Sequence, residues 1–418
     1  MNHPYVRTVV AGERPMLVFV SDIHLTDSMH NASIARVDTF ERFWTRIQAA
    51  RGKRPAEMCF VGDLFDIVRS PSWFEGAERP YDDPSEALTR KVDAIVLRIL
   101  EREAPFFDAI RRRVVSGELA IHYVLGNHDR LLRHSPVARR AVWKALTGEE
   151  RDVDFPEEKH FPHHRVLAYH GHRSDAVNYH PEGAGTIGDA IGSELIVGFP
   201  RAVRAVTGSA HPELDDIDDV RPIYAVPAWV RHFGTFHPEL LGTIHRTWGD
   251  LVDNFFSGSF VSTWFRREHR RLNLDMPIKM KLLLGLSTRK LVAKGSDRRL
   301  TELYKYMQHS FDAKMARLAT DQIMTRKHVQ YVVNGHSHFA NMVPLGNVDG
   351  RTAVYFNTGT WRSVHQIGHG IGGRPTFLPY DAMSYLVFFP DGDSLGRDYE
   401  WWTGSMVPRK PEGDETSP

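Results

Sequence analysis

Short apolar runs separated by amphipathic segments dominate the first 175 residues of the chain. Met16 to Val20, Met58 to Val61, Leu119 to Leu125 and Arg165 to Tyr169 each have the length and composition of a buried strand. The segment from Ser33 to Ala50 has apolar side chains at helical spacing, as do two later segments. Because strands that alternate with helices pack into sheets with helices on their faces, this pattern predicts an α/β fold.

The pattern changes between residues 176 and 326. Strand patterns disappear there, and the apolar stretches have helical spacing, separated by loops rich in His, Pro and Gly. Strand patterns then return at Val329 to Val333, Ala353 to Phe356 and Tyr385 to Phe389. We therefore predict a discontinuous core, residues 1–175 and 327–407, with a mainly helical cap, residues 176–326, inserted into it. Residues 408–418 have the composition of a disordered tail.

Composition adds only broad limits on function. The net charge of the 418 residues is +1, so no overall field favours a nucleic acid or a membrane. The single cysteine, Cys59, excludes an internal disulfide framework and fits a reducing compartment. We find neither a signal sequence nor a run of about 18 uncharged apolar residues that would span a membrane. The sequence predicts a cytoplasmic protein, with peripheral attachment to a membrane as an open alternative.

Residues with metal-binding side chains follow each of the predicted strands. Asp22 and His24 stand two residues apart after the first strand, so both can point to the same side. Ligands of α/β sheets gather at the carboxyl ends of strands, which is where all these residues fall. In chain order the set is Asp22-x-His24, Gly62-Asp63-x-x-Asp66, Gly126-Asn127-His128, His170 and Gly335-His336-x-His338.

This set resembles the motifs of the calcineurin-like metallophosphoesterase superfamily. The resemblance covers about the first 175 residues and the stretch from Val329 to Trp361, but not the insertion. It implies a two-sheet αββα sandwich core, here with a large inserted helical cap. It also implies a metal-dependent hydrolase that cleaves a phosphodiester, phosphomonoester or pyrophosphate bond.

The resemblance further implies two divalent metal ions and a role for each motif. A hydroxide that bridges the ions would attack phosphorus in line. Carboxylate, imidazole and amide ligands suit Mn²⁺, with Fe or Zn as alternatives. By resemblance, Asp22, His24 and His338 would hold the first ion, Asn127, His170 and His336 the second, and Asp63 would bridge them.

Two further residues of the motifs are implied to act in catalysis. His128 would contact the substrate, where it would stabilise the phosphoryl oxygens or protonate the leaving oxygen. Asp66 would accept a hydrogen bond from the other ring nitrogen of His128 and fix the orientation of the ring. The resemblance thus implies that His128 and Asp66 are catalytic residues beside the metal ligands.

The chain departs from the family pattern at Ile67. Many relatives have an arginine at this position, where it binds phosphate. Arg69, Arg130 and Arg362 are candidates for the same role, because a guanidinium group matches phosphate oxygens in a bidentate way. A solvated surface arginine is the alternative for each of them. Arg362 is favoured because it follows a predicted strand end beside the metal motifs.

The insertion contains a basic segment, residues 266–299. It holds eleven basic and three acidic residues, together with several apolar ones. Such a segment suits the surface of an anionic membrane or the backbone of a nucleic acid, and a solvated helix face is the alternative. The sequence therefore leaves three interpretations of this segment open.

The nature of the substrate rests on resemblance alone. Among the enzymes of this superfamily, the chain most resembles the UDP-2,3-diacylglucosamine pyrophosphohydrolases. This resemblance points to a phosphate ester linked to a lipid or a nucleotide. The insertion is larger in this chain, and His128 stands where those enzymes are expected to have an arginine. A nuclease or nucleotide phosphodiesterase is one alternative, and a catalytically silent metal-binding scaffold is another. The oligomeric state is left open.

Overall fold

The structure is a computed structural model of the chain. The predicted tail, residues 408–418, lies outside the residues that it describes, and so does most of the basic segment 266–299. The described residues are 14–28, 30, 33–181, 183–269, 296–348, 350–369, 375–391, 393 and 395–406.

Twelve strands within the described residues form two sheets. In chain order they are β1 (Met16–Val20), β2 (Ala56–Val61), β3 (Leu119–Val124), β4 (Glu158–Phe161), β5 (Val166–Tyr169), β6 (Val220–Arg221), β7 (Tyr331–Asn334), β8 (Ala340–Val348), β9 (Arg351–Thr358), β10 (Trp361–His369), β11 (Pro375–Phe388) and β12 (Tyr399–Met406).

The first sheet has the strand order β3-β2-β1-β11-β10-β6, and β12 also pairs with β11. The second sheet has the order β4-β5-β7-β9-β8. β1, β2 and β3 are mutually parallel, with Val18 opposite Met58 and Met58 opposite Ile121. β5, β7 and β9 are parallel in the second sheet. Parallel pairing brings the carboxyl ends of these strands to one edge of each sheet, where the predicted ligands follow.

The described helices lie on the outer faces of the sheets and in the insertion. A π-helical stretch, Ile191–Val197, joins two of them, and a 3₁₀ helix, Pro212–Asp219, precedes β6. The α-helices are α1 (Val37–Arg51), α2 (Glu86–Arg102), α3 (Ala104–Val115), α4 (Pro136–Thr147), α5 (Ile187–Ala190), α6 (Gly198–Thr207), α7 (Val226–Phe236), α8 (Leu241–Ser257), α9 (Ser259–His269) and α10 (Ser296–Thr325).

Alternate side chains of the central strands enter two different cores. On β1, Val18 packs against the core formed with α1 to α4, whereas Phe19 faces the second sheet. Cys59 is buried in the same core between the sheets. α10 covers the outer face of the second sheet through Met315 and Ala319. The order of layers is therefore helices, sheet, sheet and helix, which is the predicted αββα sandwich.

The insertion is joined to the core by packing and by strand pairing. Helices α5 to α9 share an apolar core that includes Trp229 and Trp248 and reaches Ile367 on β10. β6 extends the first sheet by pairing in parallel with β10, where Val220 lies opposite His365. α10 packs on the second sheet instead. The sequence limits proposed for the cap, residues 176–326, stay a prediction.

No helix in the described part of the chain has both the length and the apolar character needed to cross a membrane.

Phe19 is expected to be a major source of stability for the interface between the sheets. Its ring contacts Phe161 and Phe388 edge-on, with ring centroids 5.4 and 5.7 Å apart. Phe19→Ala should lower the free energy of unfolding by about 3–5 kcal/mol, because it leaves a cavity in a packed core. Urea denaturation measures this loss. Phe236→Ala is the control, because that side chain is 69% exposed, and an equal loss in both variants would contradict the assignment.

Candidate metal centre

Five of the predicted ligands have an unusual backbone conformation. Asp22, His24, Asp63, His336 and His338 have φ angles between 52° and 74°. This left-handed region is uncommon for residues that have a side chain. Such conformations are kept where the surrounding structure holds them, and they cluster at functional sites. This unusual backbone thus coincides with five of the seven predicted ligands.

Two glycines of the motifs let the ligands approach the backbone closely. A Cβ atom at Gly62 would lie 2.4 Å from His170 Nδ1, and one at Gly126 would lie 2.1 Å from Asp63 Oδ1. Gly62 also has a φ angle of 84°, which glycine adopts without strain. The φ angle of Gly126 is not positive, so glycine is required at this position only because a side chain would collide with Asp63.

The first group of ligands is Asp22, His24 and His338. One ligand atom from each lies within 4.8 Å of the others. The Nε2 atoms of His24 and His338 are 3.1 Å apart, and His338 Nε2 is 3.4 Å from Asp22 Oδ1. Ligands bound to one ion at about 2.1 Å are roughly 3.4 Å apart in a tetrahedral site, so these three atoms fit around a single cation.

The second group lies directly beside the first. Asp63, His170 and His336 again have ligand atoms within 4.8 Å of one another. Asn127 Oδ1 is 3.1 Å from His170 Nε2 and 3.0 Å from His336 Nδ1. Asp63 Oδ2 is 3.0 Å from His170 Nε2 and 3.7 Å from His24 Nε2, so Asp63 lies between the two groups. The structure therefore brings all seven predicted metal ligands together.

Asp66 orients two histidines at once. Its Oδ1 accepts a hydrogen bond from His128 Nδ1 at 2.7 Å, and its Oδ2 accepts one from His24 Nδ1 at 3.0 Å. The bond to His128 was predicted from the resemblance, whereas the bond to His24 was not. Each bond leaves the Nε2 atom of its ring for another partner, which is the usual arrangement of a metal-binding histidine.

Outer hydrogen bonds also orient ligands of the second group. His336 Nε2 donates to Asp175 Oδ2 at 3.0 Å, and His170 Nδ1 donates to the carbonyl oxygen of Val61 at 2.8 Å. In each ring the opposite nitrogen faces Asn127. The ring orientations are therefore fixed before any cation binds.

The surroundings favour the neutral, metal-binding form of the first group's histidines. Burial lowers the pKa of His24, although the carboxylates of Asp22 and Asp66 oppose this effect. Burial and the charge of Arg221 lower the pKa of His338 well below its ordinary value. A neutral imidazole has one unprotonated nitrogen. In His24 that atom is Nε2, because Nδ1 donates to Asp66, so this ring need lose no proton to bind a cation.

The carboxylates are held in their charged form. Burial alone would raise the pKa of Asp63, but the charges of His170 and His128 lower it well below the ordinary value. Burial likewise opposes ionisation of Asp66, and the charges of Arg69 and His128 again lower its pKa well below the ordinary value. Both side chains are therefore anionic acceptors throughout the neutral range.

Two of the predicted phosphate-binding arginines lie beside the metal ligands, but both are already paired. Arg69 forms ion pairs with Asp66, at 2.5 Å, and with Asp218. Arg362 pairs with Asp218 at 2.7 Å and with Asp219 at 3.2 Å. A substrate phosphate would have to compete with Asp218 for these groups, so their binding role stays a prediction.

The third predicted arginine has other partners. Arg130 pairs with Asp189 at 2.6 Å and donates to the carbonyl oxygen of Pro80 at 2.9 Å. It lines a polar cavity together with His172, whose ring centroid is 5.5 Å from that of His170. Arg130 thus belongs to a cavity that adjoins the ligands, and its role in binding phosphate stays a prediction.

The sequence motifs gave no indication of the 3₁₀ helix Pro212–Asp219, which we call the acidic segment. Its Asp218 and Asp219 contact Arg69 and Arg362, and the adjacent Arg221 donates a hydrogen bond to His338 Nδ1 at 3.2 Å. The only available signal was a run of carboxylates, which is equally typical of a solvated surface.

Comparison with known proteins adds one finding. Residues 16–195 match the family model for the calcineurin-like phosphoesterases. The match includes the motifs from Asp22 to His170 and ends within the insertion, so His336 and His338 lie beyond it. A comparison with curated proteins found no match to the chain.

Asp63→Ala is expected to lose two ions per chain relative to the parent protein, because the carboxylate of Asp63 lies between both ligand groups. Elemental analysis after dialysis measures the loss. Asp154→Ala is the matched control, since that side chain is 99% exposed, and its metal content should equal that of the parent. Retention of both ions by Asp63→Ala would reject the bridging position.

Metal uptake should weaken as the pH falls. Burial alone would lower the pKa of His170, but Asp63 and Asp22 raise it to about 10 in the metal-free protein. A cation must therefore displace this proton, and its apparent affinity should fall about tenfold for each pH unit below neutrality. Titration calorimetry with Mn²⁺ in two buffers of different ionisation enthalpy measures both the affinity and the protons released. An affinity independent of pH would contradict this expectation.

Proposed function

The chain belongs to the calcineurin-like phosphoesterases, which are metal-dependent hydrolases of phosphate esters, and on this premise we propose that it cleaves esters whose leaving group is an alcohol. Phosphodiesters are the first candidates and phosphomonoesters the second. The observation that carries this proposal is the pair of His128 and Asp66, which lies beside the two ligand groups. Hydrolysis of a pyrophosphate bond depends less on such a pair, because a leaving phosphate is already a weak base.

The ligand groups fit two divalent ions by their chemistry. They combine four imidazoles, two carboxylates and one amide without sulfur, a set that suits hard or borderline ions. We propose Mn²⁺ as the resident metal, with Fe and Zn as alternatives. When bound, the ions would neutralise charge on the phosphoryl group and lower the pKa of a water molecule so that it can act as the nucleophile.

His128 is proposed to protonate the leaving oxygen. Its Nδ1 is bonded to Asp66, which leaves Nε2 as the ring atom that can pass a proton to the leaving oxygen. The backbone N–H of His128 donates to Asp63 Oδ1 at 2.8 Å, which fixes the His128 loop to the ligand groups. The side chain is 17% exposed, so a substrate can reach it.

Arg69 and Arg362 are proposed to bind the substrate phosphate in exchange for Asp218. A phosphate offers the same kind of oxygen pair to a guanidinium group as a carboxylate does, with more charge. The position of both arginines next to Asp66 supports this proposal. Arg130 is proposed to contact a more distant part of the substrate through the polar cavity.

The remainder of the substrate is proposed to be a lipid or a nucleotide. Support comes from the basic and apolar composition of residues 266–299, of which 270–295 lie outside the described part of the chain. The same segment supports a cytoplasmic protein that associates with an anionic membrane surface. A nuclease or nucleotide phosphodiesterase is the second candidate, favoured only by the affinity of basic segments for phosphate backbones. Turnover on a panel of lipid-linked, nucleotide and polynucleotide esters distinguishes them.

His128→Ala should slow hydrolysis of a phosphodiester with an alkyl leaving group by about 10²–10⁴-fold, because the leaving alkoxide must then depart without a proton. Hydrolysis of the matching p-nitrophenyl ester should slow much less, since its leaving group is a weak base. Steady-state kinetics with both substrates measures the difference.

His163→Ala is the matched control for this experiment, because His163 is an exposed histidine in the turn before β5, at the opposite end of that strand from the ligands. Metal content should be unchanged in both variants. An equal loss on both substrates would assign His128 to stabilising the phosphoryl oxygens, and unchanged turnover on both would remove it from the mechanism.

A further inference from the structure

A second set of metal-binding side chains lies at the junction of the acidic segment and the core. His30 follows β1, Asp216 and Asp219 belong to the acidic segment, and His365 is on β10. One ligand atom each from His30, Asp216 and Asp219 lies within 4.8 Å of the others. His30 Nε2 is 3.4 Å from Asp219 Oδ2, and His365 Nε2 is 3.8 Å from Asp216 Oδ2.

We propose that these four residues bind one further divalent cation, separate from the two of the candidate metal centre, and that this ion fastens the cap to the core. Four ligands in a tetrahedron with bonds of about 2.1 Å are roughly 3.4 Å apart, close to both measured separations. Two imidazoles and two carboxylates are a common donor set for Zn²⁺.

The charges at this junction favour a cation over a simple ion pair. Asp219 is buried, and its Oδ1 already contacts Arg362, so only its Oδ2 faces His30. Burial and the charge of Asp219 together raise the pKa of Asp216 to about 7. A protonated His30 would supply a single positive charge to the two carboxylates, whereas a divalent ion would neutralise both.

Strand pairing explains why these residues meet. His365 lies opposite Val220 in the β10 and β6 pair, so the end of the acidic segment is held next to the His365 side chain. Asp218, between the two acidic ligands, contacts Arg69 and Arg362. A cation at this junction would therefore also fix the position of the carboxylate that occupies those arginines.

The test uses the full-length protein and the double variant His30→Ala/His365→Ala, with His163→Ala as the matched control. Each protein is saturated with Zn²⁺, dialysed and analysed for zinc. The double variant should hold one zinc ion fewer per chain than the parent, and the control should equal the parent. Loading with Co²⁺ should give the intense visible absorption of a tetrahedral site in the parent, reduced in the double variant.

Equal zinc content in the parent and the double variant would overturn the proposal and leave the four residues as an ion-pair cluster. If the double variant does not fold, Asp216→Asn replaces it, because Asn keeps the shape of the side chain and this position is 32% exposed. This variant should also hold one ion fewer, and parent-like content would reject the site. The proposal is independent of the hydrolytic function, because Asp63→Ala should lose two ions and still retain this one.

Discussion

The carboxylate of Asp66 connects the metal ligands to the proposed chemistry. It bonds His24, a ligand of the first group, and His128, the proposed proton donor, through its two oxygens. Arg69 balances its charge from the third side. A buried carboxylate with three such partners is costly to disturb, because removal of any one leaves a buried charge or donor unpaired. The relative position of the two histidines is therefore fixed by one side chain.

Much of the candidate site could be predicted from the sequence because its parts are local. Asp22 and His24 follow directly after a buried strand, and parallel strands must bring such ends to one edge of a sheet. The acidic segment could not be predicted in the same way. The position of Asp218 depends on packing between the cap and the core, and a run of carboxylates does not indicate which arginine will neutralise it.

The fold was predictable where side chains are buried on both faces of a strand. The sequence predicts the central strands β1, β2 and β3 to within two residues at each end, since Glu57 and His122 are the only polar residues in these three strands. β8 was missed, because it is half-exposed and interrupted by Pro344 and Gly346 at an irregularity of the register. β6 was also missed, since a strand of two residues has no pattern and depends entirely on its partner β10.

The contact of Asp218 with Arg69 and Arg362 has a consequence for how ionic strength affects the protein. Both guanidinium groups are buried, and in the free protein they are already neutralised by a carboxylate of the same chain. If the proposed exchange takes place, a phosphate that binds these arginines replaces one anion by another and breaks the ion pairs of Asp218. Because little net charge is gained in that exchange, association at this site should depend only weakly on added salt, unlike binding to an open cationic surface.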